Sequence, residues 1–364
     1  MNKITYIFSG GRINKADNKE FAEEFFYGYQ YLKDNHPNIS IIEFNDISSF
    51  LKKIEHKLSK AFSLPLYIFS ILNKQNIKSI KETNNLVMVS ESAGFASLLP
   101  LILFKRKHNV KTYMFVMGLY SKKINFKIFK IFHNAIISLL VSYLDNLYFL
   151  GSEEYNIAKS RIKNHEKINF KPFHIDCEFW KSEDQLTFNK SQILFIGNDG
   201  NRDFDLLIKI AKLMPNRKFI FISSNEKFFD LGLPNVDVIT GSWKDGILSD
   251  FDIKKIYQNS KLVILPLKNS TQPSGQSVAL QSMSMGIPVL ISKTKGFWDK
   301  DKFFDNESIL FESTNNPDSW VKKINYLFEN PELLNKISNN SSKLVREKYN
   351  MKEFNKYFEK ELGL

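Results

Sequence analysis

LVILPLKNSTQPSGQSVALQSMSMGIPVLIS (262–292) is the stretch on which the reading of this chain turns. LVILPL is a short continuous apolar run, as expected of a strand buried on both faces. After Pro266 a polar loop leads into SGQS (274–277), where a helix starts and runs to Gly286, and IPVLIS is the next strand. Strand, helix and strand in that order form one βαβ unit of a parallel sheet. The helix start is a candidate anion site, because amides at Ser274, Gly275, Gln276 and Ser277 would lack intrahelical acceptors there. One turn on, Gln281 carries an amide able both to donate to and to accept from a vicinal diol. An incidental glutamine in a buried βαβ unit is the alternative.

The alternation extends outward in both directions. Strand-like runs are ITYIF (4–8), ISIIEF (39–44), LVMVS (86–90), TYMFVM (112–117) and LYFLG (147–151) in the first half. In the second they are ILFIG (193–197), KFIFIS (218–223), VDVIT (236–240), PVLIS (288–292) and SILFE (308–312). Helix-like stretches separate them at 17–35, 47–80, 94–107, 123–143 and 153–163, and three more close the chain at about 318–328, 331–347 and 351–361. Two such sets predict an α/β chain of two doubly wound domains, whose ligands lie beyond the strand carboxyl ends and in the cleft between domains. The expected division is 1–176, then 177–345, then a C-terminal helix over 346–364 that packs back on the first domain; the linker falls near 176–190.

Composition narrows the function. The 364 residues are 43% hydrophobic and 25% charged, as in ordinary globular proteins. Cys177 is the lone cysteine, which excludes an intramolecular disulfide framework. The N-terminus MNKITYIFSGGR lacks a signal-peptide core, and no apolar stretch approaches a membrane span, so a cytoplasmic protein is expected. Of the net charge of +12, residues 1–176 carry +10. Residues 92–144 hold no acid but contain Lys105, Arg106, Lys107, Lys111, Lys122, Lys123, Lys127 and Lys130. Such a field attracts phosphates or anionic lipid. No zinc-finger or RNA-recognition signature accompanies it, so nucleic acid is not an expected partner.

Neither GxGxxG nor GxxxxGK[ST] occurs, which counts against a dinucleotide cofactor and a P-loop kinase. SGGR (9–12), after the first strand, offers Gly10 and Gly11 where backbone can approach a ligand, or a plain tight turn. After ILFIG comes NDGNRDFDLL (198–207). Asp203 is a natural N-cap, Asp205 suits the first helical turn, and Arg202 is aimed beside the helix start with a donor fork suited to phosphate. The DxD pairs at 203/205, 250/252 and 299/301 are too frequent to mark a metal site, and none is predicted.

On these residues the sequence resembles the donor-binding half of GT-B-fold glycosyltransferases, close to glycosyltransferase family 4. The order strand, proline, polar loop, helix, MSMGIPVLIS carries the likeness. So do PFHIDCEFW (172–180), FIGNDGNRDF (195–204) and VITGSWKDGILSDFDIKKIYQNSKLVILP (238–266), in the family's order. The resemblance implies two Rossmann-like domains facing each other across a cleft. It also implies sugar transfer from a nucleotide-diphosphate sugar to a glycan, lipid-linked or other hydroxyl acceptor, with no metal and no further cofactor, in bacterial cell-surface polysaccharide synthesis. By the same resemblance Arg202, Asn198 and Ser274–Ser277, with Gly10 and Gly11, approach the donor diphosphate. Gln281 takes the place of a glutamate on the ribose, and Ser242 and Trp243 lie near the base. The family's usual acidic pair reads Pro273 and Gln281 here, which motivates a variant site, or alternatively a non-catalytic binding subunit.

Glu91, just after a strand in VSESAG, is the candidate catalytic acceptor of a hydroxyl proton, or else a helix-capping glutamate; Asp17 and Glu20 are weaker candidates. In KKINFKIFKIFHNAIISLLVSYL (122–144), Lys123, Lys127 and Lys130 share one helical face, with Phe126, Phe129 and Ile136 toward the opposite side. Either the apolar side packs inward and the lysines are merely solvated, or they join Lys105–Lys107 against an anionic membrane surface, here the inner face of the cytoplasmic membrane.

Overall fold

The computed structural model describes residues 2–122, 124, 126–182, 191–241 and 248–364. They divide into two compact units. One comprises Met1–Asn18, Phe26–Lys171 and Asn355–Leu364, and the other Lys19–Phe25 and Pro172–Phe354.

The first unit is a six-stranded parallel sheet in the order β2-β1-β3-β4-β5-β6: β1 (Ile4–Phe8), β2 (Ile39–Glu43), β3 (Asn85–Met88), β4 (Lys111–Val116), β5 (Asn146–Phe149) and β6 (Ile168–Phe170). Its helices are α1 (Ile13–Ala16), α2 (Tyr29–Asn35), α3 (Ser49–Phe62), α4 (Lys74–Glu82), α5 (Glu91–His108), α6 (Lys127–Ser142) and α7 (Ser152–Arg161). Polar caps set several starts: Ser48, Asn73 and Ser90 accept from the amides of Leu51, Asn76 and Ala93. The single helix expected over 17–35 is instead broken. Tyr27 and Gly28 both have left-handed backbone, and residues 19–25 belong to the second unit. The sequence reading also missed β6, whose three residues INF pair with Leu147, Tyr148 and Phe149. The chain leaves the β1–β2 side and returns as β3 on the other side of β1, so the direction switches there. The SGGR loop and Glu91 follow those two strands.

The second unit repeats the plan in the order β12-β11-β10-β7-β8-β9: β7 (Gln192–Ile196), β8 (Phe219–Ile222), β9 (Val236–Ile239), β10 (Ser260–Leu265), β11 (Val289–Ser292) and β12 (Leu310–Glu312). All pairs are parallel, with Val263 opposite Leu194 and Ile264 opposite Leu290. Helices α8 (Phe204–Leu213), α9 (Asp250–Gln258), α10 (Gln276–Ser284), α11 (Pro317–Glu329) and α12 (Pro331–Lys348) belong to it, and α13 (Met351–Glu361) closes the chain. The core joins Ile193, Phe195, Phe219, Leu262 and Leu290 of the sheet with Leu207 and Ile210 of α8 and Trp320 and Ile324 of α11. Here the switch point lies between β7 and β10. The loops after them, 197–203 and 266–275, are therefore the ones positioned to bind a ligand.

Candidate functional site

The two loops at the β7/β10 switch are stitched together. The amide of Asp203 donates to the Pro266 carbonyl at 2.9 Å, and that of Lys268 donates to Asn201 at 2.8 Å. Asp203 also caps α8 through the Leu206 amide, and Asp205 pairs with Lys227 at 2.5 Å. The other DxD residues are used in the same structural way. Asp252 completes a capping box with Ser249, and Asp299 accepts from the Tyr349 hydroxyl. Stitching of these loops turns the Arg202 side chain inward, where it is 3% exposed. Its guanidinium lies flat against two glycines. A Cβ on Gly197 would stand 2.2 Å from Nε, and one on Gly275 2.8 Å from Nη1. Only glycine leaves room for it.

Arg202 is thus a buried cation with little company. Nε lies 3.3 Å from an Asp199 carboxylate oxygen, without hydrogen-bond geometry, and neither Nε nor Nη1 has a hydrogen-bond acceptor among the described residues. Burial lowers its pKa, but a guanidinium keeps its charge. Beside it α10 begins. Gly275, with φ of +78°, is its N-cap and supplies no side-chain cap, so the first-turn amides have no intrahelical acceptor. Arg202, Asn198, Ser277 and Gln281 line one cavity of about 190 Å³ together with Gly197, Gly241, Asp250 and Phe25. Chemically this is an anion seat: a desolvated fork of donors facing the positive end of a helix dipole.

The other residues expected here are engaged in different degrees. Asn198 ties three strand ends together, donating to Gly241 O at 3.2 Å and accepting from the Ser223 hydroxyl and Ser224 amide at 2.9 and 2.6 Å. Ser274 accepts from Asn201 at 2.9 Å. Gln276 is buried, and its Nε2 has no hydrogen-bond partner among the described residues. Gln281 is held from both sides, its Nε2 donating to Glu24 at 2.8 Å and its Oε1 accepting from the Tyr257 hydroxyl at 3.3 Å. Each of its amide groups keeps one further hydrogen-bonding capacity. Ser242 and Trp243 lie outside the described residues.

Glu24 escaped the sequence reading. It is buried in the second unit and accepts from Trp180 Nε1 at 2.7 Å and from the Asp176 amide at 3.2 Å, besides Gln281. Burial, and then the charge of Asp250, push its carboxyl well above the usual range. Asp250 in turn accepts from the Ala22 amide at 2.9 Å. The contact from Glu24 to Gln281 spans 257 residues of sequence, and nothing local in FAEEFF signals it.

Gly10, Gly11 and Glu91 lie in the first unit. The SGGR loop is fastened by Glu43, at the end of β2, which accepts from the amides of Arg12 and Ile13. Glu91 opens α5, and its carboxylate accepts from the Met117 amide at 2.6 Å; burial raises its pKa. Glu154 grips the same β4–α6 loop, accepting from Tyr120 at 2.8 Å with its second oxygen unpartnered. Burial and the nearby Glu91 charge push it up to about 8. Glu91 therefore already holds backbone here. Asp17 pairs with Lys33 at 2.7 Å.

Residues 244–344 match the family described as Glycosyl transferases group 1. No curated protein matches the chain. Among solved structures, HepE of Anabaena, described in complex with UDP and glucose, superposes with a TM-score of 0.72 at 13% identity over 100% of both chains. Sucrose-phosphate synthase of Thermosynechococcus elongatus gives 0.71 at 11% identity, over 99% of this chain and 98% of its own. A glycosyltransferase of Rickettsia africae gives 0.66 at 14%, over 99% and 97%. At such identities the likeness shows the fold, which is the GT-B architecture of two Rossmann-like domains. A glycosyltransferase group 1 domain carried in that fold makes the chain a glycosyltransferase.

Proposed function

We propose that the chain transfers a sugar from a nucleotide-diphosphate sugar to a hydroxyl of a glycan or lipid-linked acceptor, with the β7/β10 switch point as its donor site. One observation carries this: the buried guanidinium of Arg202 at the uncapped start of α10, beside Asp199 but with Nε and Nη1 free of hydrogen-bond acceptors among the described residues. A donor diphosphate supplies the acceptors that Nε and Nη1 lack, and the first-turn amides of α10 take further phosphate oxygens. As the sugar–phosphate bond breaks, negative charge grows on the leaving diphosphate, and a preorganised cation stabilises it without reorganisation. That positive charge is what a bound metal would otherwise provide, so the reaction is proposed as metal-independent. Gln281, oriented by Glu24 and Tyr257, reads the ribose diol in place of the glutamate usual in glycosyltransferase family 4, of which the site is a variant.

The UDP and glucose bound to HepE make uridine diphosphate the first probe. The reading also includes reversible residence at an anionic membrane surface, in reach of a lipid-linked acceptor. The test is release of uridine diphosphate from its sugars in the presence of a metal chelator. Turnover by the native chain that disappears in Arg202→Met is expected. No turnover with any nucleotide sugar favours the binding-subunit alternative, which the internal hydrogen bonds of Gln281 and Glu91 motivate.

A further inference from the structure

Helix α6 has two apolar faces, and only one is used inside its unit. The buried His133, Ile137, Leu140 and Val141 share one arc when the helix is laid out at about 100° per residue. Ile128, Ile131, Phe132 and Leu139 fall on the arc opposite and are all exposed, Ile128 by 62% and Ile131 by 64%. Phe126, at the helix start, is 70% exposed. The alternative in which the apolar side packs inward and the lysines are solvated holds only in part, for Ile136 packs against the core. Lys127 and Lys130 are exposed, but so are Phe126 and Phe129; Lys123 lies outside the described residues. Helix α5, which packs on α6, also leaves Leu99, Ile102 and Leu103 in solvent.

Charge selects the occupant. Lys127 flanks the outward arc, Lys130 is exposed farther round toward the inward side, and residues 92–144 contribute eight basic side chains and no acid. Between α6 and α7 a cavity of about 690 Å³ carries Arg161, Lys163 and Lys167 in its lining and again no acid. Apolar side chains on one arc with a cation at its edge are what an interfacial helix presents to anionic lipid.

We propose that the outward face of α6, from Ile128 to Leu139, docks on an anionic lipid bilayer. Its apolar arc enters the headgroup–acyl boundary, and Lys127 at its edge sits among the lipid phosphates. This rests on the reading above that the chain works beside a membrane, and replaces attachment by lysines alone with insertion of isoleucine and phenylalanine.

The test is flotation of the full chain with phosphatidylcholine vesicles, with and without phosphatidylglycerol, alongside the Ile128→Gln/Ile131→Gln double variant. Both positions are exposed, so the variant is expected to melt like the native chain. Salt-sensitive binding to the phosphatidylglycerol vesicles is expected, weakened roughly tenfold or more in the double variant. In Ile131→Trp, an added fluorescence signal quenched by lipids brominated on their acyl chains is expected. Equal binding by the double variant, or no added quenching, overturns insertion even where lysine-driven binding persists. No binding to anionic vesicles at low salt overturns the membrane surface altogether. Neither readout uses the donor site. Vesicle binding as expected in a chain that takes no nucleoside diphosphate would sink the glycosyltransfer reading and leave this surface standing.

Discussion

Arg202 holds two hydrogen-bond donors inside the second unit with no acceptor for either among the described residues. Burying a charge whose donors are left without acceptors costs stability, commonly several kcal/mol before relaxation, and the Asp199 carboxylate beside Nε offsets only part of it. Arg202→Met, of similar length and no charge, is therefore expected to melt no lower than the native chain when both are empty. Scanning calorimetry checks this; a fall of several degrees would make the guanidinium a structural strut. Gln281 calls for a different test, because its neighbours already use half its amide. Gln281→Ala is expected to weaken uridine diphosphate while leaving inorganic diphosphate unchanged. The loss should be on the order of 1 kcal/mol, as for one neutral hydrogen bond. Equal losses for both ligands would mean that it supports α10 rather than reading a diol. The roles of Arg202 and Gln281, which line one cavity, are proposals, but their positions after a strand and in a helix were legible in the sequence. Glu24 was not, since its burial is created only when residues 19–25 join the second unit.

Helix α10 starts without a side-chain cap. Gly275 leaves the first amides open and also clears the space that Arg202 fills. Gly275→Ala is expected to cost about 1 kcal/mol or more in backbone strain and to push the guanidinium aside. Both a lower melting temperature and weaker nucleotide binding should follow; native affinity in this variant would contradict the packing. In the first unit the β4–α6 loop hangs on two carboxyl groups, and the sign of their effect is fixed by the raised pKa. Glu154 holds a proton up to about 8 when folded but only to its ordinary value of 4.5 when unfolded. Between those values the native state binds the extra proton, so stability falls as pH rises, by at most about 1.4 kcal/mol per unit. Glu154→Gln, which can keep the acceptor for Tyr120, is expected to flatten that slope in pH-dependent denaturation; an unchanged slope would place it elsewhere. Elements with strong local pattern were readable in the sequence: continuous runs such as FIFI, and helices opened by Ser90 or Asp203. The strand β6 was too short to show a period, and the break at Tyr27 and Gly28 depends on a left-handed turn that GYQY alone does not announce.

For the whole chain, the repetition of one topology accounts for where chemistry can sit. Each sheet reverses direction once, beside β1 in one unit and beside β7 in the other, and the candidate residues Gly10, Gly11, Glu91, Arg202 and Ser274–Ser277 follow those switch strands. The charge asymmetry between the halves, +10 in residues 1–176 against +2 in the rest, gives a separate reason for the first half to meet an anionic surface. No helix of the described residues is long and apolar enough to cross a membrane. The donor site is the claim on which the others depend. It is tested most directly by calorimetric titration of uridine diphosphate, with a metal chelator present, into the native chain and into Arg202→Met. The account expects saturable binding by the native chain and a loss of about 1.5–3 kcal/mol, roughly ten- to a hundredfold in affinity, in the variant. Equal affinity in the two proteins, or no binding by the native chain, would contradict it.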